Sequence, residues 1–477
     1  MKKTSMYTFL IAVIALSACN KKLDEVNTNP NATEDAQPDY LLTGAIKNSS
    51  DAYWGVANNM NASLLFVQHW AKIQYTEEDR FIFSNSSFTT LWSTGYSQSI
   101  TNLNEIIKLA EESNNPNYKG VSIVLKSWVF LLLTDAYGAI PYKQAGSIDD
   151  FITPAYDAQK DVYFGLLDDL KEAKTLLDPA GKAIGGDIIY SGDIARWEKL
   201  ANSLRLRIAL RIADKEPAKS KQVIDEIKSD GDAYISDNAD NAQLVYQTSP
   251  QQNPVSASFE TRDDYRVSKS IVDKLFQLND PRLPIYASKT QALTSQEYVG
   301  IPNGLTTSEA SILGLAKTSK PGAYFLTPQS PAVIFSYAEL LFDRAEAAAR
   351  GFTTENAATL YQDAIKASFK QYGIADAAAA TYLAQPTVQY DAGNFKKSIG
   401  EQKWIALFGQ GLEAFAERRR LDYPVLMASV NTVLNGQIPV RLIYPGTEQS
   451  LNGENYKAAV SAQGADQLTT KLWFDAF

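Results

Sequence analysis

The sequence predicts a mainly α-helical protein, with long helices paired as repeats, a loop-rich lobe and a few short β-hairpins. Three observations carry this. Apolar residues recur at three- and four-residue spacing through several long windows, as they do on helices with one buried face. Two of those windows end at a glycine and lead into a second amphipathic helix, which reads as a repeated helix pair. From about Pro281 to Pro331, by contrast, Pro, Gly, Asn and Ser alternate with Tyr286, Tyr298, Tyr324 and Phe325 without helical period, which marks loops.

Taken in order, "VSIVLKSWVFLLLTDAYG" is apolar on most faces and is expected to be a core helix that stops near Gly138 and Pro141. "DAQKDVYFGLLDDLKEAKTLL" follows, with Val162, Leu166, Leu167, Leu170 and Leu177 on one face. In "DIARWEKLANSLRLRIALRIAD", Trp197, Leu200, Leu204, Ile208 and Ile212 form a stripe, leaving Arg205, Arg207 and Arg211 as interhelical ion-pair partners. "AYISDNADNAQLVYQ" has β-prone runs around an Asn/Asp-rich turn and reads as a hairpin. "SPAVIFSYAELLFDRAEAAARG" and "TENAATLYQDAIKASFKQYG" make a second helix pair of the tetratricopeptide kind. "SIGEQKWIALFGQGLEAFAERRRLD" reads as one long helix carrying Trp404, Phe408, Leu412 and Phe415, with Gly409 and Gly411 allowing close helix approach. Trp128, Trp197 and Trp404 are expected in the core, and Trp92 as packing at a helix start.

The N-terminus holds the only cysteine, Cys19. Residues 1–18 have Lys2 and Lys3 ahead of a short apolar run, the form of an export signal. Leu16-Ser17-Ala18-Cys19 resembles a bacterial lipobox, in which the thiol is acylated and becomes a membrane anchor. Residues 19–38 are polar and broken by Pro30 and Pro38, so they read as a tether; its Asp24-Glu25 pair resembles a surface-export signal. No later stretch is expected to be apolar enough for a second membrane span, and residues 39–477 read as one domain.

The residue inventory narrows the chemistry. His69 is the single histidine, and in "FVQHWAK" it is expected to pack rather than act as a base. No G-x-S-x-G elbow, P-loop or G-x-G-x-x-G is present, and clustered His/Cys metal sites are not available. Only the acid pairs Asp149-Asp150, Asp168-Asp169 and Asp263-Asp264 remain as catalytic candidates, and Asp168-Asp169 lies adjacent on a helix, where the two diverge and both read as solvated. Neither catalysis nor a cofactor is expected, and no residue is singled out as a metal ligand. A net charge of −9 disfavours nucleic acid and anionic lipid as partners.

"TDAYGAIPY", "YSGDIARWEKLANSLRLRIAL", "RDDYRVSKSIVDKLFQLNDPRLPIYA", "SYAELLFDRAEAAARG", "EQKWIALFGQGLEAFAERRRLDYP" and "VRLIYPGTEQSLNGENY" occur in this order. Together with the lipobox they resemble the SusD/RagB family of Bacteroidetes outer-membrane lipoproteins, in its second SusD-like subgroup. The resemblance implies a lipid-anchored protein at the outer membrane, facing the cell exterior, with a tetratricopeptide-like core. It implies a lid over a SusC-like TonB-dependent transporter that captures oligosaccharide, or peptide in members of the RagB kind, and delivers it uncleaved. A lipid-anchored glycoside hydrolase and a gating subunit that binds nothing alone are the other readings.

Sugar rings stack on aromatic faces and bond through amides and carboxylates, and the chain has 25 Tyr and 7 Trp. Candidate ligand residues off the apolar stripes are Tyr53 and Trp54, beside Asn58 and Asn59; Gln74, Tyr75 and Arg80; and Tyr298, Asn303 and Tyr324 in the loop-rich stretch.

Overall fold

The computed structural model describes residues 36–147, 150–292, 296–429 and 431–476. The export signal, Cys19, most of the tether and Asp149 lie outside the described residues. The body opens on α1 (Pro38–Trp54), with Pro38 in its first turn, where a missing N–H costs nothing. A π-helical stretch, Val56–Ser63, follows it. Next come α2 (Thr101–Glu112), α3 (Pro116–Tyr137), α4 (Gln159–Leu176), α5 (Ile194–Arg211) and α6 (Pro217–Ser229). Each of these packs on its neighbour in sequence.

After α7 (Lys269–Gln277) and the loop-rich stretch come α8 (Tyr337–Ala349), α9 (Ala357–Gln371), α10 (Phe395–Ala406) and α11 (Gly411–Leu421). Both expected helix pairs form: α3 packs on α4, and α8 on α9. Trp128, Trp197 and Trp404 are 1%, 0% and 3% exposed in the main core. The expected stop of α3 falls at Gly138, whose φ of 90° and whose contact with Gln463 leave no room for a Cβ.

Four expectations need correction. No local hairpin forms around Asn238: β2 (Ala242–Val245) pairs antiparallel with the distant β4 (Pro331–Phe335), and β1 (Trp70–Lys72) with β3 (Tyr265–Val267). The "PAVIF" run is therefore strand, and α8 starts only at Tyr337, where the Ser336 hydroxyl accepts from Glu339 N–H at 3.2 Å. The predicted long helix breaks between α10 and α11, with Gly409 at φ 91°. Asn59 fills the break, accepting from Gly411 N–H at 2.9 Å and donating to Gly409 C=O at 3.1 Å. Finally, α3 is long and apolar enough to cross a bilayer, but 94% of its apolar window is buried inside the protein.

The three arginines of α5 are ion-pair partners, as their stripe implies. Arg205 pairs with Glu226 and Asp230; Arg207 pairs with Glu339 at 2.7 Å and with Glu413. Arg211 reaches Asp135 of α3 at 3.1 Å and Glu413 and Glu417 of α11. Lys403 of α10 joins Asp343 and Glu417, and Arg420 joins Glu346 and Glu417. Apart from Arg205's acids, which lie nearer the surface, these side chains are almost wholly buried.

Glu417 shows why the network holds. Burial alone pushes its carboxyl up, but Arg420, Lys403 and Arg211 outweigh burial and hold it well below the ordinary value of 4.5. Its stabilising effect is therefore present above about 4.5 and lost as pH falls through its folded-state value. On Asp79 burial wins instead, and its carboxyl is pushed up to about 6 against its N–H donors; folding is favoured as pH falls from about 6 toward 4.

The melting temperature should accordingly peak near about pH 5 and drop below about pH 4.5, as followed by circular dichroism. A steady decline from pH 7 to 4 would contradict this. Glu417→Gln strands buried cations and should lower stability by about 3–5 kcal/mol in urea titrations.

Candidate functional site

The loop lobe is organised by the short β1–β3 ribbon, with Trp70 opposite Val267 and Lys72 opposite Tyr265. Past Lys72 the chain stays tied to the partner strand, since Ile73 and Gln74 N–H both donate to Asp264 C=O. It then turns at Tyr75, a non-glycine residue with φ 51°, a conformation costing about 1–3 kcal/mol and held only by its surroundings. The turn lifts the Tyr75 ring 61% into solvent. The Arg262 guanidinium lies 4.7 Å from the ring centroid and is itself fixed by Asp264 at 2.6 Å.

Under this platform lies a polar layer. Lys72 Nζ donates to Glu78 at 2.7 Å and to Asn61 at 3.3 Å, and sits 5.1 Å from the Tyr265 ring centroid. The Tyr265 hydroxyl donates to Asn61. Beside it, the buried Asp79 carboxylate accepts from Asn303 Nδ2 at 2.7 Å, Gly304 N–H at 3.0 Å and Lys72 N–H at 3.1 Å. This clasp joins the ribbon to the loop at 303–304. Arg80 is half-buried, and its Nε donates to Asn431 C=O at 3.4 Å. The Gln74 side chain is half-buried and makes no hydrogen bond among the described residues.

The structure thus gathers Gln74, Tyr75, Arg80 and Asn303 in one region, but not with equal freedom. Asn303 is corrected to a structural role: both amide hydrogens are used, on Asp79 and on Trp70 C=O at 2.8 Å, and its oxygen accepts from Ser268 at 2.6 Å. Tyr53 and Trp54 are also corrected. They are 1% and 4% exposed, because α1 runs through them and turns both rings inward. Tyr53 packs on Trp128 at 5.5 Å, and the Trp54 indole donates to Val333 C=O. Asn58 and Asn59 are buried with them.

Tyr298 and Tyr324 lie in other contacts. Tyr298 is half-buried, 6.5 Å from Phe276, which is 50% exposed on α7. Tyr324 packs on Phe325 and Tyr372 at 5.1 and 5.0 Å, at the edge of the main core. Sequence reasoning missed Arg262 and Phe276; the run "TRDDYR" drew attention to its acids rather than to the cation before them.

The groups considered for catalysis are held elsewhere. His69 is fully buried, its Nε2 2.9 Å from Trp404 C=O, and burial pushes its pKa down to about 3. Asp263 pairs with Arg266 and Asp264 with Arg262. Asp169 is not solvated like Asp168 but half-buried, accepting from the Tyr142 hydroxyl at 2.6 Å. Trp92 is 7% exposed and packs among Tyr96, Tyr137 and Tyr444.

Comparison with known proteins bears on this geometry. Residues 30–445 match the SusD-like family described as starch-binding and associating with the outer membrane. No curated protein matches the chain. Among solved structures, a chitin-binding protein is 31% identical, with a TM-score of 0.83 over 92% of this chain and 100% of its own. A chitin-binding SusD homologue from Flavobacterium johnsoniae is 25% identical, with a TM-score of 0.81 over 91% and 98%. A SusD homologue from Bacteroides uniformis is 26% identical, with a TM-score of 0.82 over 91% and 99%. With the family match covering most of its length, this chain belongs to the SusD-like family.

Proposed function

We propose that this protein captures oligosaccharide at the outer cell surface and passes it, uncleaved, to a SusC-like TonB-dependent transporter. The observation that carries the reading is the Tyr75 ring, lifted into solvent by a strained backbone and steadied by Arg262. An aromatic held in one orientation stacks on a pyranose face with little further loss of entropy. Gln74, Arg80 and Arg262 supply donors around it for hydroxyl and carbonyl oxygens.

Two similar structures are described as chitin-binding, which supports β-1,4-linked N-acetylglucosamine oligomers as the substrate class. Such sugars carry their substituents equatorially, so both ring faces are apolar enough to stack. Their acetamides call for amide and cationic partners of the kind Gln74 and Arg80 provide. Residues 1–18 would be removed on export, Cys19 would carry the lipid, residues 19–38 would act as the tether and residues 39–477 as the binding domain.

Tyr75→Ala is expected to weaken binding of chitohexaose about tenfold, at the upper end of a stacking contact, while the melting temperature stays unchanged, since the ring is mostly in water. Calorimetry and thermal melts check this; unchanged affinity would contradict it. Tyr53→Ala should do the reverse, lowering stability by about 3–5 kcal/mol through loss of a core aromatic. Cys19→Ser should move the protein from the detergent phase to the aqueous phase on Triton X-114 partition.

A further inference from the structure

A second feature of the loop lobe plays no part in the site described above. Between α7, α10 and the segment 423–427 lies a cleft of about 550 Å³, inside the range of roughly 300–1,000 Å³ typical of small-ligand sites. We propose that this cleft is a second oligosaccharide subsite, taking a neutral stretch of about two sugar rings. The inference rests on the glycan-capture reading and extends it from one contact point to two.

The charge balance favours a neutral ligand. Lys274 of α7 bonds Glu401 of α10 at 3.1 Å, and Asp273 is paired with Lys269 at 2.6 Å. Of the charged side chains lining the cleft, Lys397 alone lacks an acidic partner among the described residues. A cationic ligand would therefore have to break existing pairs and an anionic one would find only Lys397, whereas a polyol can bond to all of these groups as they stand. Gln277, exposed at the last position of α7, adds a side-chain amide that makes no hydrogen bond among the described residues.

The walls supply the apolar half of the match. Tyr423 is half-buried and lies close against α10 because Gly400 has no side chain; a Cβ there would stand 2.8 Å from that of Tyr423. Val425 and Met427, 71% and 79% exposed, present aliphatic surface beside the polar lining. This segment is pinned by Gln68, which is 3% exposed and held at φ 52°. Its Nε2 donates to Met427 C=O at 2.7 Å, and its Oε1 accepts from Ser270 of α7. A buried non-glycine residue kept left-handed is strain concentrated where the cleft wall is attached.

The same segment continues to the first site. Ser429 donates to Gly304 C=O at 3.2 Å, Asn431 C=O accepts from Arg80, and Val433 N–H donates to Arg80 C=O at 3.1 Å. The cleft and the Tyr75 platform therefore border one continuous stretch of chain, at opposite ends of the β1–β3 ribbon. A glycan long enough to reach both gains affinity from the second contact through effective concentration.

The test is calorimetry of the full-length protein in detergent with diacetylchitobiose and chitohexaose as probes. The proposal expects two sites per chain for diacetylchitobiose, one lost in Tyr75→Ala and the other in Gln277→Ala/Tyr423→Ala. The double variant should also bind chitohexaose about tenfold more weakly. Gln277→Ala alone removes no contact of the fold and should weaken the cleft site about fivefold, so the test stands even where the double variant folds poorly. A single site, abolished by Tyr75→Ala and untouched by Gln277→Ala, overturns the cleft and leaves glycan capture intact. Failure of both sugars to bind the unaltered protein overturns both.

Discussion

The packing of the helices depends on a set of charges that have almost no access to water. Glu417 can meet Arg211, Lys403 and Arg420 only where α5, α10 and α11 converge. Asp135, Glu339, Asp343 and Glu346 extend the same condition to α3 and α8. Moving any one of these helices would leave a bare ion in a medium where desolvation costs several kcal/mol. Hydrophobic contact alone tolerates sliding between helices; ion pairs at hydrogen-bond distance do not. The network thus fixes the relative placement of the repeats, on which the less regular half of the molecule is built.

That half is attached through single polar side chains. Asn59 fills the break between α10 and α11, Asp79 clasps the loop at 303–304 to the β1–β3 ribbon, and Gln68 ties the segment at 427 to α7. Each serves backbone groups that regular structure leaves unpaired, which buried loops must satisfy somehow. The non-glycine residues at positive φ near the ribbon, Gln68, Tyr75 and Phe81, show how tightly this region is held. A preorganised platform of this kind suits capture of a flexible polymer, where each ordered group on the protein side lowers affinity.

Much of the helical core was legible because its signal is local. Trp128, Trp197 and Trp404 sit on apolar stripes, and the arginines of α5 occupy positions that only ion pairing can satisfy. What was not legible depends on distant partners. The pairing of Ala242–Val245 with Pro331–Phe335 joins segments well separated in the sequence, and no periodicity announces it. Ser336 followed by Glu339 is the signature of a helix start, and would have kept "PAVIF" out of α8. Tyr53 and Trp54 looked like a surface pair beside two asparagines, but continuation of α1 decides which way they point. Asn303 looked free because Asp79, its buried partner, lies far away in sequence. Tyr75 could be singled out as a candidate from its polar segment, whereas its cation–π partner Arg262 required the ribbon.

We propose that the loop lobe holds an intact glycan on Tyr75 while the helical core stays fixed. A crystal structure of the protein with chitohexaose tests this most directly. The expected result is an unbroken sugar chain with one ring stacked on Tyr75, donors from Arg262 or Arg80 on its oxygens, and helices unmoved. A cleaved product, or a sugar bound elsewhere with the Tyr75 ring bare, would contradict it.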